Sequence, residues 1–124
     1  MTKMRVLVID ETLQEAYAGI FGDAANICCV TSGEAAIQVI RNKPSQWDLI
    51  ISDQRLAGRI PGRDVYLHLV EYHPQLSTKF VFVAADRDEL EGLDIASNRV
   101  LPKPFERDQI VDLAKGVFQR HGHA

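Results

Sequence analysis

Asp48-Leu49-Ile50-Ile51-Ser52-Asp53 is a short apolar run that ends in a carboxylate, and its reading decides the fold. Upstream, Val6-Leu7-Val8-Ile9 runs into Asp10-Glu11 in the same way. Downstream, Lys79-Phe80-Val81-Phe82-Val83 ends at Ala84-Ala85, and Arg99-Val100-Leu101 ends at Pro102-Lys103-Pro104. Continuous aliphatic runs of this length read as strands covered on both faces, the pattern of a parallel sheet. Parallel strands bring their C-terminal ends to one edge, where open α/β folds place their sites. Three carboxylates, Asp10, Glu11 and Asp53, would meet the ammonium of Lys103 there.

The intervening segments have helical spacing. Thr12-Leu13-Gln14-Glu15 has the form of a capping box, and Leu13, Ala16, Tyr17, Ile20 and Phe21 follow on one face until Gly22. A further strand is expected at Ile27 to Val30, then a helix capped by Thr31 or Ser32 that carries Ala35, Ala36, Val39 and Ile40. After Asp53 comes a loop of turn formers, Ala57-Gly58-Arg59-Ile60-Pro61-Gly62. The next helix, with Val65, Leu67, Leu69 and Val70 as its apolar positions, closes near His73-Pro74. Between Ala84 and Val100 the chain is polar and broken by Gly92, so any helix there is short. The last helix begins near Asp108 and shows Ile110, Leu113, Ala114, Val117 and Phe118. Five strands alternating with helices, joined by right-handed crossovers, give an α/β doubly wound parallel sheet with helices on both faces.

At 124 residues the chain reads as one domain, 1–124, with an ordered core over about 4–119 and a tail at 120–124. A net charge of −3 and the lack of a basic stripe argue against direct nucleic-acid binding. No apolar stretch approaches the roughly 18 residues of a membrane span, so a cytoplasmic protein without membrane contact is expected. Cys28 and Cys29 are adjacent in a strand and point to opposite faces, which makes them packing residues rather than a disulfide or metal pair. The four histidines show no ligand spacing, and Trp47 is expected to pack.

Carboxylates a few ångströms apart cannot all ionise comfortably without a cation. Mg²⁺ takes hard oxygen ligands and keeps several waters, so two carboxylates, a backbone carbonyl and a phosphate oxygen would suit it. Such a site lets a carboxylate attack phosphorus to give an aspartyl phosphate, with Lys103 as a point charge for the phosphoryl oxygens.

The chain resembles the receiver domain of two-component response regulators over nearly its whole length, through Val8-Ile9-Asp10-Glu11, Asp48 to Asp53, Pro61-Gly62 and Leu101-Pro102-Lys103-Pro104-Phe105. The resemblance implies a flavodoxin-like five-stranded sheet of order 2-1-3-4-5, as in chemotaxis-type regulators. It implies that Asp53 accepts a phosphoryl group from a histidine kinase or histidine phosphotransfer protein. It implies Mg²⁺ held by Asp10, Glu11, Asp53 and the backbone carbonyl of Arg55, and phosphoryl contact by Lys103. It implies no outside substrate beyond self-dephosphorylation, and a signal passed by contact to a downstream output protein or domain, with a homodimer left open. The Lys103-Pro104 bond is expected to be cis, as is common in the family.

The switch positions depart from that pattern. The family usually carries Thr or Ser at the end of the fourth strand, where this chain has Ala84, and often Tyr or Phe three residues before the lysine, where this chain has Val100. A hydrogen bond to a charged group is worth roughly 1.5 to 3 kcal/mol, so loss of the hydroxyl is expected to weaken coupling about tenfold or more. Glu11 stands where Asp is usual, and the loop before Gly62 holds an extra residue, so weakened metal binding is expected. Arg55 and Asp86 flank the mouth of the site and are expected either to pair across it, restricting water, or to stay separately solvated.

Taken singly, Asp10 or Thr12 could merely cap a helix, Asp53 could open a loop, and Lys103 could be solvated; their order along the chain argues against all three at once. Carrying no output module, the chain reads as a single-domain regulator or a receiver cut from a longer protein. The alternative is a degenerate receiver that binds partners without phosphorylation. A nucleotide- or flavin-binding protein would need a Gly-rich loop after the first strand, where Asp10-Glu11-Thr12-Leu13 stands.

Overall fold

Each apolar run becomes a strand whose alternate side chains feed two separate cores. In the computed structural model, which describes residues 3–10, 19–56, 58–93, 95 and 99–120, the strands are β1 (Met4–Ile9), β2 (Ala25–Val30), β3 (Leu49–Asp53), β4 (Phe80–Ala84) and β5 (Val100–Pro102). All pair in parallel in the order β2-β1-β3-β4-β5. On one face Leu7, Ile9, Ile50, Phe80 and Phe82 pack with Ala36, Ile40, Val65, Tyr66 and Leu69. On the other Val6, Val8, Leu49, Ile51, Val81 and Val83 pack with Phe21, Ile110, Ala114 and Val117. Burial of such side chains stabilises by roughly 1.5–3 kcal/mol each, which is why uninterrupted aliphatic runs belong in a sheet covered twice. Cys28 joins the first core and Cys29 the second, both as free thiols, in agreement with their expected opposite directions.

The helices are α1 (Gly33–Asn42), α2 (Gly62–Tyr72), the single turn α3 (Pro74–Ser77) and α4 (Arg107–Arg120). Residues 19–21 are helical, and Gly22 then takes φ 53°, a left-handed conformation that ends the α-helical path. The capping box at Thr12–Glu15, Leu13, Ala16 and Tyr17, the carboxylate of Glu11, the side chain of Phe118 and the tail at 121–124 lie outside the described residues. Ser32, rather than Thr31, caps α1: its Oγ accepts from the Ala35 amide at 3.1 Å.

Packing settles two segments that the sequence left open. In α2, Val65 and Leu69 are buried as expected, but Leu67 and Val70 are each 46% exposed, and Tyr66 takes the inward position. An α-helix buries one stripe, and four apolar residues within six positions span more than that stripe. Between β4 and β5 the described residues hold only a 3₁₀ turn, Arg87–Leu90, consistent with the short, Gly-interrupted segment. Asp86 and Glu89 form a reciprocal capping box around it, and Leu90 anchors it in the first core.

Candidate functional site

Register sets the site. Ile9 pairs with Ser52, Asp53 with Val83, and Ala84 with Pro102, so Asp10, Asp53, Ala84 and Lys103 form one row along the carboxyl edge. Backbone hydrogen bonds continue the row beyond the strands: Asp10 N donates to Val30 O at 3.0 Å, Gln54 N to Val83 O at 3.1 Å, and Lys103 N to Ala84 O at 3.0 Å. Asp48, at the other end of the same run, lies at the opposite edge and accepts from the Arg5 amide at 2.8 Å. Acidity alone therefore does not mark the site; position at the strand's C-terminal end does.

The Lys103 Nζ stands 2.6 Å from Asp53 Oδ2, an ion pair with the carboxylate side chain 11% exposed and the lysine 29%. Asp53 Oδ1 accepts from the Arg55 amide at 3.3 Å, so the loop-opening role weighed for Asp53 coexists with its pairing. Its carbonyl accepts from the Ser52 hydroxyl at 2.8 Å, and both sides of the residue are thus fixed. Lys103-Pro104 is cis, as expected. Asp10 is buried to 1% exposure in the neighbouring strand exit.

Gly62 begins α2 directly beneath the acceptor: a Cβ there would collide with the Asp53 carbonyl oxygen and come within 3.0 Å of Ser52 Oγ. Its amide donates to Gln54 O at 2.9 Å. Pro61, at the N-cap position, has no side-chain acceptor, and the buried Gln54 supplies one by accepting from the Arg63 amide at 2.7 Å. Sequence reasoning passed over Gln54. The signal was a polar residue just after a strand and ahead of a helix whose own cap is proline.

Arg55 does not pair with Asp86. Its Nε donates to Glu89 Oε2 at 2.8 Å, while Glu89 Oε1 accepts from the Asp86 amide at 3.3 Å and Asp86 Oδ1 from the Asp88 amide at 2.9 Å. The Arg55 guanidinium is held more firmly charged than usual, chiefly by the hydrogen bond and charge of Glu89, then by Asp53 and Asp86. Asp86 is committed to capping its own turn, which is why the expected pairing is displaced by three residues. Across the mouth, Arg59 N donates to Glu34 Oε2 at 3.2 Å, and that bond lowers the Glu34 pKa.

Among the described residues no three His, Cys, Asp or Glu side chains gather tightly enough to hold a metal by themselves. Asp10 and Asp53 nevertheless offer hard carboxylate oxygens at adjacent strand exits, and one or two carboxylates completed by water is how proteins usually hold Mg²⁺. The donor set fits that ion. Ala84, 2% exposed, places a methyl where the resembled family usually carries a hydroxyl, and Val100 is buried beside Phe82 in the first core.

A five-stranded parallel sheet in this order is shared with solved receiver domains of response regulators. The solved receiver protein from Sinorhizobium medicae superimposes with a TM-score of 0.82 at 19% identity, covering 94% of this chain and 95% of that one. A putative response regulator from Chloroflexus aurantiacus matches at 0.77 with 25% identity over 96% and 100% of the two chains. In sequence the chain is 29% identical over 121 residues to the transcriptional regulatory protein CutR of Streptomyces coelicolor, covering 94% of this chain and 54% of CutR. The chain thus spans about half the length of the curated relatives it matches. No family model matches the sequence. The chain thus has the fold of solved response-regulator receiver domains and is similar in sequence to half of a response regulator. Among the described residues no helix is long and apolar enough to cross a membrane.

Proposed function

We propose that this chain, residues 1–124, is a single cytoplasmic receiver domain phosphorylated on Asp53 by a histidine kinase or a histidine phosphotransfer protein. The observation that carries the proposal is the Lys103–Asp53 pair, 2.6 Å apart at the carboxyl edge. An Asp53 carboxylate oxygen attacks phosphorus; the new P–O bond forms as the P–N bond to the donor imidazole breaks, and its electron pair returns to the nitrogen. Lys103 stays beside the phosphoryl oxygens and offsets their charge. Asp10, Glu11, Asp53 and the Arg55 carbonyl would hold Mg²⁺, which would supply further charge neutralisation at the transferring group. Output passes by protein contact, and a homodimer fits this mode of action.

Intact-mass measurement after incubation with acetyl phosphate and Mg²⁺ tests the reading. A single phosphoryl adduct is expected on the native chain and none on Asp53→Asn. A second reading, a binding module that works without phosphorylation, draws on the buried methyl of Ala84. A partner that binds Asp53→Asn as tightly as the native chain, whatever the phosphodonor, would favour it.

A further inference from the structure

Ala84 removes the hydroxyl that would follow the phosphoryl group, but the chain has another connection from the acceptor to the β4–β5 segment. Arg55 touches both ends of it. Its amide donates to Asp53 Oδ1, and its guanidinium donates to Glu89 Oε2 at 2.8 Å. Glu89 in turn uses its other oxygen to hold the Asp86 amide, closing the capping box of the Arg87–Leu90 turn. Arg63 Nη1 reaches the Glu89 carbonyl at 3.5 Å, so the turn is tied to the acceptor loop and to the first turn of α2 through one residue.

We propose that Arg55 and Glu89 form a latch that reports phosphorylation of Asp53 to the Asp86–Leu90 turn. This rests on Asp53 being the phosphoacceptor. The pair is easily broken, because the Arg55 side chain is 81% exposed and water competes for it. Phosphorylation takes the Asp53 side chain from one negative charge to about two and sets three strong acceptor oxygens two residues from Arg55. Arginine suits such an acceptor better than it suits a solvated carboxylate, through its fork of donors. When the guanidinium swings to the phosphoryl oxygens, Glu89 loses its counter-charge and faces Asp86 and Asp88 without it. Their mutual repulsion loosens the capping box. The Asp86 amide opens to solvent, while Leu90 keeps the turn attached to the core.

Amide hydrogen exchange across residues 86–91, with intact mass read in parallel, tests the latch on the native chain and on Glu89→Gln and Glu89→Ala. Glutamine retains an acceptor for the Asp86 amide but no charge for Arg55. In the native chain, acetyl phosphate with Mg²⁺ should give the adduct and speed exchange at Asp86 severalfold. Glu89→Gln should accept the phosphoryl group yet show no change in the turn. In Glu89→Ala the turn should exchange fast before any donor is added. An adduct on the native chain with unchanged exchange overturns the latch and leaves the phosphoacceptor reading standing. An equal response in Glu89→Gln also overturns it, because the signal would then travel without the charge. Absence of any adduct on the native chain overturns both.

Discussion

At the β3 and β5 exits of the carboxyl edge, Asp53 and Lys103 are each held from more than one direction, whereas beside β4 a bare methyl and an ion pair with an exposed arginine take the corresponding places. Asp53 is held by Lys103, by the Arg55 amide and through its carbonyl by Ser52. Lys103 hangs from the Ala84 carbonyl by its own amide. Beyond Ala84, by contrast, the chain relies on the exposed Asp86 and Arg55 and on the half-buried Glu89 between them. On the proposed reading the difference teaches that chemistry and transmission are separable in this fold: the part that places a carboxylate within hydrogen-bond reach of an ammonium is tightly held, and the part proposed to move is held by contacts that break at little cost.

The largest expected effect attacks what the two parts share. Phe82 lies 4.8 Å from the Phe80 ring and 5.5 Å from that of Tyr66, with no exposed surface. Phe82→Ala should lose roughly 3–5 kcal/mol of stability in urea titration and blur the contrast by loosening β4 itself. Loss of less than about 1 kcal/mol would mean that β4 does not depend on this cluster.

Lys103→Ala strikes only the rigid part. A charge-assisted hydrogen bond of roughly 1.5–3 kcal/mol disappears from the acceptor, so phosphorylation by acetyl phosphate should slow about tenfold or more. The turn at 86–91 should keep its native exchange in the absence of donor. Ala84→Thr strikes the other part: the added atoms in a buried position should cost about 1–3 kcal/mol in unfolding experiments. In the Glu89→Gln background, the new hydroxyl should restore a response of the turn to phosphorylation. Failure of that rescue would show that a hydroxyl at position 84 cannot serve this chain.

The smallest effect lies away from the edge. The pKa of His68 is lowered by burial first, then by His73 and Arg41, with Glu71 opposing. The folded state therefore favours neutral imidazole, and the unfolded chain binds the extra proton first as pH falls. The stability from neutral His68 is fully present above the ordinary value of 6.5 and is lost as pH falls below it toward the depressed folded value. Urea midpoints at neutral and mildly acid pH should fall less in His68→Gln than in the native chain.

Much of the rigid part was legible in the sequence. Asp53 and Lys103 follow apolar runs, and a buried parallel strand has few ways to end except at the shared edge; the sheet order and the cis Lys103-Pro104 bond were expected from the family resemblance. The loose part was less legible. Arg55 was matched with Asp86 by position, but a 3₁₀ turn folds Glu89 back over the Asp86 amide, and this local ring frees Glu89 rather than Asp86 for the arginine. The exposure of Leu67 and Val70 was not legible, because hydrophobicity alone does not say which stripe of an over-apolar helix faces the sheet. Gln54 escaped notice because its role depends on Pro61, seven residues away, lacking a cap. Side chains whose roles follow from strand direction can be read from the chain; those whose roles follow from the path of a loop cannot.

The central claim is that Asp53 is the residue that carries the phosphoryl group. Borohydride reduction of the acetyl-phosphate-treated protein, followed by peptide mass mapping, tests it most directly, since an aspartyl phosphate is reduced to homoserine. The account predicts homoserine at position 53 in the native chain treated with Mg²⁺. Conversion at another carboxylate, or an adduct that survives in Asp53→Asn, would contradict it.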